Sequence, residues 1–384
     1  MNRFKALPHI AILTAAITAA ACAEVPPDAP KENAGAPAAS WPLFRGDQAL
    51  RGVAKGHLPD VPKLLWTFQT GEAITSSAVI RDGRVWIGSE DGHLYALSLD
   101  GGEKVYAFNA EAPVEAPPSL IGDLVVVGTS DGALLALNAD SGELKWKYET
   151  DDKIAGAANW ARVEDKTRIL VGSYDARLHC VDMDTGEPIW QYATDNYVNG
   201  SVAVLGDRAV FGGCDGFLHV VSVRSGEALA KVSVGSYVAA SAALDANQAF
   251  VGHYEHKFLH VDLETEQIQW SYRDKPFPFF SSAAVGSDRI VVGGRDKRLH
   301  CLNREDGEAL WVFPTRDRVD SSPVICGDKV VVGSNDGRLY VVQLADGSQS
   351  WSYEIGEQII ASPAVAGGRI VVGAEDGRVY AFGR

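Results

Sequence analysis

The 384-residue chain has no apolar run long enough to cross a bilayer as a helix. Its N-terminal stretch, residues 10–21, stops short of that length, follows Arg3 and Lys5, and reads as a secretory leader spanning residues 1–21. Positive charge is in deficit: 35 lysines and arginines face 50 acids, for a net −15. Such a surface repels phosphate backbones, which excludes a nucleic-acid partner. Cysteine is scarce. Cys22, Cys180, Cys214, Cys301 and Cys326 include no adjacent pair and no spacing that forces a bridge, so free thiols are expected even in an oxidising compartment. Metal-ligand spacings are equally thin. His253 and His256 stand three apart in one turn with His260 beyond, and no third ligand accompanies the turn pair, so a solvated turn and no metal are expected there.

What the chain has is repetition. A glycine closing an apolar run falls at Gly88, Gly128, Gly172, Gly212, Gly252, Gly293, Gly333 and Gly373, at intervals of 40, 44, 40, 40, 41, 40 and 40. Residues 320–353 show one unit: a short apolar strand, a turn at Gly327-Asp328, Val330 to Gly333, a turn at Asp336-Gly337, Leu339 to Val342, a turn at Asp346-Gly347, and a strand carrying Trp351. Asp-Gly suits the tight antiparallel turns because glycine accepts a positive φ without strain. A lone four-stranded sheet cannot bury both faces, so eight must stack radially. The fold expected is all-β: an eight-bladed β-propeller of four-stranded antiparallel blades over residues 41–384.

The ends of the repeat region complement each other. Residues 64–68 look like a fourth strand with no blade before it, and residues 378–382 like a third strand with no fourth after it. The N-terminal strand is therefore expected to close the last blade, removing two edges that would invite aggregation. Ahead of it, residues 22–40 are a Pro- and Ala-rich tether without apolar periodicity.

The third turn repeats as Ser141-Gly142, Thr185-Gly186, Ser225-Gly226, Asp306-Gly307 and Asp346-Gly347, with Trp146, Trp190, Trp311 and Trp351 four residues after the glycine. The fragment Ala136-x-Asn138-x-x-Ser141-Gly142-x-x-x-Trp146 resembles the tryptophan-docking motif of the pyrroloquinoline-quinone-like (PQQ-like) repeat family, and Trp41-x-x-Phe44-Arg45-Gly46 is similar to the opening of many members. The resemblance covers residues 41–384 and assigns a docking role to Trp66, Trp146, Trp190, Trp270, Trp311 and Trp351. The family holds quinoprotein dehydrogenases, which bind the quinone and calcium at the top of the channel, and BamB-like lipoproteins of the outer-membrane assembly machine, which are scaffolds without a cofactor. The dehydrogenases carry adjacent cysteines and long insertions, and this chain has neither. In size and layout it is closest to the BamB-like members, although the leucine-rich loop ending in arginine that they use is missing. Thr18 to Cys22 resembles a lipoprotein processing site with Cys22 as the acylated residue; plain secretion with cleavage after Ala-x-Ala is the alternative. The localisation implied is the bacterial envelope, facing the periplasm, with the membrane touched only through the lipid.

Thr75, Glu115, Ala155, Asn199, Ala239, Phe280, Asp320 and Ile360 are the expected ring at the channel mouth. Glu115, Asn199 and Asp320 offer the oxygens calcium accepts, but they are spread around too wide a ring to share one ion. Gly128 to Gly132 spells a nucleophile elbow yet falls in a strand-to-strand turn, with Glu90 and Asn335 at the serine's place in sister repeats. Cys180 and Cys301 occupy a small apolar third-strand slot, and His179, His219 and His300 stand where Tyr95, Tyr340 and Tyr380 recur, as packing residues with a polar tip.

The turns after each second strand and the loops before each first strand emerge on one end. That end gathers Tyr174, Tyr197, Tyr237, Tyr254, Phe277, Phe279, Phe280, Arg295, Arg316 and Arg318 on blades three to seven, whereas the facing blades offer small or acidic residues. Aromatics beside arginines are what interface hot spots are made of. The sequence therefore points to a monomeric, non-enzymatic scaffold without cofactor that binds a protein or peptide of the cell envelope; the alternative is a small PQQ-dependent oxidoreductase.

Overall fold

A computed structural model describes residues 40–384. The expected leader, Cys22 and the tether up to residue 39 lie outside the described residues. Eight sheets follow one another along the chain, each built of consecutive antiparallel strands. Blade three, for example, runs Asn159–Val163, Lys166–Ser173, Arg177–Asp182 and Pro188–Ala193. The last blade takes Ala364–Ala366, Arg369–Gly373 and Arg378–Gly383 from the C-terminus and is completed by Lys63–Gln69, with Thr67 opposite Tyr380. The ring thus closes with the strand and register expected.

The blade glycines are required by the stacking of one sheet on the next. A Cβ on Gly212 would lie 2.2 Å from the Val238 side chain of the neighbouring blade, and one on Gly172 would lie 2.3 Å from Val198. Around these contacts the second and third strands are almost wholly buried apolar residues, so each interface between blades is a segment of core.

The tryptophans lock the outer strands. Nε1 of Trp146 donates to the Met183 carbonyl of the next blade at 2.8 Å, Trp190 to Val223 at 3.1 Å, Trp270 to Arg304 at 3.1 Å, Trp311 to Leu344 at 2.9 Å, and Trp66 of the closing strand to Leu99 at 2.9 Å. Each indole lies over a turn glycine of positive φ, as Trp190 does over Gly226. Trp351 departs from this pattern. The blade after it is completed by the N-terminal strand and so has no third turn to receive an indole; Trp351 packs edge-on against Phe382 instead. Where blade four carries Ala230 in the tryptophan slot, the facing turn of blade five has Glu266 (φ 57°) in place of glycine. The glycine is needed where an aromatic ring covers it, an indole in five blades and the Tyr106 ring over Gly142.

Residues 41–58 do something the repeat pattern does not announce. They wind around the inside of the ring and accept hydrogen bonds from the innermost strands in turn. Pro42 accepts from Leu120, Gln48 from Val204, Ala49 from Leu244, Arg51 from Val285 and Gly52 from Ile325, all at 2.7–3.0 Å. Trp41 exchanges both bonds with Ile80, and Val53–Ala54 then runs parallel to Val324–Cys326. Blade three is reached through the Gln48 and Asn159 side chains. An inner edge that would otherwise face the channel unpaired is thereby satisfied. The Arg45 guanidinium, 1% exposed, donates to the carbonyls of Ser322, Ala283 and Pro323. Burial pulls its pKa down to about 9, so it still carries its charge at neutral pH. Gly52 lets the arm pass, since a Cβ there would sit 2.0 Å from Arg45 Nη2.

A second device joins the inner strands. Ser201, Ser241, Ser282, Ser322, Ser362 and Ser77 each accept, through the hydroxyl, the backbone N–H of the equivalent residue one blade earlier, at 2.8–3.0 Å. The series starts after blade two, where Pro117 has no N–H to offer and blade three carries Ala157 instead of serine.

Candidate binding face

The end of the propeller that carries the turns after the second strands has a shallow mouth of about 180 Å³. It is lined by the eight expected ring residues, Thr75, Glu115, Ala155, Asn199, Ala239, Phe280, Asp320 and Ile360, with Phe44 of the N-terminal arm and all six linking serines beneath. The channel is thus shallow at this end because the arm occupies it.

The oxygen donors at the mouth are already engaged. Lys153 Nζ lies 2.6 Å from Glu115 Oε2; Arg295 grips both oxygens of Asp320 at 2.8 and 3.0 Å, with Arg318 Nε at 3.2 Å; and Asn199 Oδ1 accepts from the Tyr174 hydroxyl at 2.6 Å. A calcium ion needs six to eight free oxygens, and ligand pockets for drug-sized molecules run roughly 300–1,000 Å³. The residues present therefore do not fit a quinone with its calcium, and no reaction step is derived through that pair.

The aromatic residues split into surface and core. Tyr197, Tyr237, Tyr254 and Phe277 are 46–56% exposed, and Arg316 is exposed beside them. Tyr174 and Tyr197 stack with centroids 4.9 Å apart, Tyr254 lies 6.0 Å from Phe280, and the Arg295 guanidinium covers the Phe280 ring at 3.9 Å. Phe279 is a correction. It is 2% exposed and belongs to the core between blades five and six, where its ring packs against Phe258, Tyr272 and His300, while Phe277, two residues earlier in the same loop, stays exposed. Arg295 and Arg318, bound to Asp320, shape the mouth and are not free side chains. Across the ring, Glu375 lies near Glu90 and Glu357; burial first, then these two carboxylates, raise its pKa, so the facing side is acidic as the sequence implied.

The histidines of the third strands are bonded as well as packed. His179, His219 and His300 each place Nε2 2.9–3.1 Å from the turn aspartate, Asp175, Asp215 or Asp296, and Nδ1 2.9–3.1 Å from a tyrosine hydroxyl of the preceding blade. Burial holds His179 and His219 below the ordinary imidazole pKa, against the pull of their aspartates. An unfolded chain therefore takes up protons on these residues before the folded chain does. Their contribution is complete above about pH 6.5 and is lost as pH falls below it. Melting temperature should fall between about pH 7 and about pH 5.5, and the paired change His179→Gln with His219→Gln should flatten that slope. An unaltered slope in thermal melts across this range would show that other groups carry it.

In blade five the expected solvated turn is only half correct. His256 takes the positive-φ turn position (φ 70°), but His253 is 2% exposed and burial lowers its pKa to about 4. His260 lies apart, stacked on Phe250. Cys180, Cys214, Cys301 and Cys326 are free thiols; burial pushes Cys180 and Cys301 up to about 12, which makes them inert. Gly128 to Gly132 forms the expected hairpin turn between Leu124–Gly128 and Ala133–Asn138. The serine links and the arm were missed from sequence. The serines carry a signal, since each lies eleven residues before its blade glycine.

These features define an eight-bladed, tryptophan-docked propeller whose channel is plugged by its own N-terminal arm. The family model described as outer membrane protein assembly factor BamB (PQQ_2) matches residues 59–272 and 275–384, and the chain belongs to that family of PQQ-like repeat propellers. No curated protein matches it in sequence. Among solved structures it is similar to BamB from Moraxella catarrhalis, at 18% identity, TM-score 0.70, covering 84% of this chain and 100% of that one. A europium-containing methanol dehydrogenase matches at 13% identity and TM-score 0.78, over 90% of this chain and 98% of that one. The quinohemoprotein alcohol dehydrogenase from Comamonas testosteroni matches at 13% identity and TM-score 0.77, over 90% and 80%. At such identities the likeness is one of fold.

Proposed function

We propose that this protein is an exported, non-enzymatic scaffold that binds a protein or peptide partner of the cell envelope on the aromatic end of its propeller, as part of outer-membrane protein assembly. The observation that carries this reading is the exposed group of Tyr197, Tyr237, Tyr254 and Phe277 on an end where Glu115, Asn199 and Asp320 are each paired within the chain. Large aromatic side chains held in solvent on a rigid scaffold supply contact area at little entropic cost. In this reading residues 1–21 are removed on export, Cys22 carries the lipid, and residues 23–40 tether a monomeric propeller facing the periplasm.

The change Phe277→Ala with Tyr197→Ala should leave the melting temperature within about 1 kcal/mol of stability, as exposed positions do, yet remove the partner that co-purifies from the envelope fraction. An unchanged pull-down profile counts against the face. Adding quinone and calcium to the purified protein should give no dye-linked alcohol oxidation; turnover in that assay would overturn the scaffold reading in favour of a quinoprotein.

A further inference from the structure

In six of the eight blades the turn after the second strand carries an aspartate whose carboxylate holds the third-strand side chain of its own blade, as Asp91 holds Tyr95, Asp175 holds His179 and Asp336 holds Tyr340. In blades one, three and seven the carboxylate is also fixed by a backbone N–H from the loop before the first strand. Gly71 donates to Asp91 Oδ2 at 2.6 Å, Asp151 to Asp175 Oδ2 at 3.3 Å and Arg316 to Asp336 Oδ2 at 2.8 Å. In blade six the matching residue, twenty before Asp296, is Pro276, which has no N–H. Asp296 Oδ2, on a side chain only 4% exposed, is left without a hydrogen-bond partner among the described residues. A buried carboxylate oxygen with no donor is costly and rare.

Two further ligand types surround it. Asp274, Asp296 and His300 bring ligand atoms that all lie within 4.8 Å of one another. Arg298 stands alongside, with Nη1 2.7 Å from Asp274 Oδ2 but Nε 3.9 Å from Asp296 Oδ2, so the local cation serves one carboxylate and leaves the other. Blade three is an internal control. It has Asp151, Asp175, Arg177 and His179 in the same roles, but there the Asp151 N–H satisfies Asp175.

We propose that Asp274, Asp296 and His300 form a divalent-cation site for a borderline ion such as Zn²⁺, with the fourth position open to water. One imidazole and two carboxylates suit that ion, whereas calcium and magnesium prefer all-oxygen shells. Binding through His300 Nε2 calls for the tautomer whose proton is on Nδ1, which then donates to the Tyr272 hydroxyl 3.1 Å away. Arg298, 31% exposed, swings to solvent as the ion replaces its charge. The site adjoins the loop that presents Phe277, and it stands independently of what that face binds.

The test is titration of the metal-free, full-length protein with Co²⁺, followed by displacement with Zn²⁺. One equivalent should bind with the visible ligand-field bands of a four-coordinate ion. Asp274→Ala, at a half-exposed position that leaves the fold intact, should weaken binding more than about tenfold. Pro276→Ala, which can restore the backbone donor, should also weaken it, and Arg298→Gln, which removes the competing cation, should strengthen it. Asp151→Ala in blade three should change nothing. No saturable binding overturns the proposal, and so does binding that survives both Asp274→Ala and His300→Gln, because the ion would then sit elsewhere.

Discussion

A chain lacking residues 41–70 should not fold to a soluble, cooperatively melting protein. Two losses combine. Without Lys63–Gln69 the strand Arg378–Gly383 has an open edge, and the docking of Trp66 onto Leu99 that fastens blade eight to blade one is gone. Without residues 41–58 the N–H groups of Ile80, Leu120, Val204, Leu244, Val285 and Ile325 lose the carbonyls that now accept from them. Each buried group left unpaired costs about 1–3 kcal/mol, so six suffice to exhaust a total stability of about 5–15 kcal/mol. Removing residues 41–58 alone keeps the closing strand and isolates the second loss, and should still lower the melting temperature severely. Soluble fraction and calorimetry measure both; a cooperative transition from the larger deletion would refute the closure.

Trp190→Ala should cost about 3–5 kcal/mol, as large-to-small core changes of this size do. The indole bridges blades three and four by its bond to the Val223 carbonyl and by lying over Gly226, so its loss leaves a void and removes one of the two donors on that carbonyl, Arg168 being the other. Gly226→Ala should also be strongly destabilising, because φ is 76° and the added Cβ would sit 2.6 Å from the indole. Trp351→Ala should cost less than Trp190→Ala, since Trp351 has no turn to dock on. Chemical denaturation of the three variants checks the order; a Trp190→Ala shift near zero would mean that the docking bond contributes nothing to stability.

The parts of the fold that were legible are those where side-chain pattern and backbone geometry coincide. A glycine every 40 or so residues marks a strand packed against a neighbour with no room for a Cβ, and a tryptophan four residues past a turn glycine marks an outer strand fastened to the next blade. The arm left no such trace. Its partners are backbone N–H groups on blade edges, which accept any sequence able to turn the corner, so residues 41–58 show no period to read. The aromatic end was half legible. Tyr197 and Phe277 are exposed as the repeat register placed them, but the burial of Phe279 against Phe258 and His300, and the hold of Asp320 on Arg295 and Arg318, are tertiary contacts that only coordinates show.

By itself the sequence determined eight blades, their register and the strand that closes them, because repeated short-range pattern leaves one way to bury eight half-exposed sheets. Only the tertiary structure decided which polar groups remain available. The oxygens of Glu115, Asn199 and Asp320 are taken by Lys153, Tyr174 and Arg295, whereas one oxygen of Asp296 is left over because Pro276 stands where other blades have an N–H. Hydrogen-bond partners come from residues many positions apart, and their pairing depends on distances of a few tenths of an ångström that no linear pattern records.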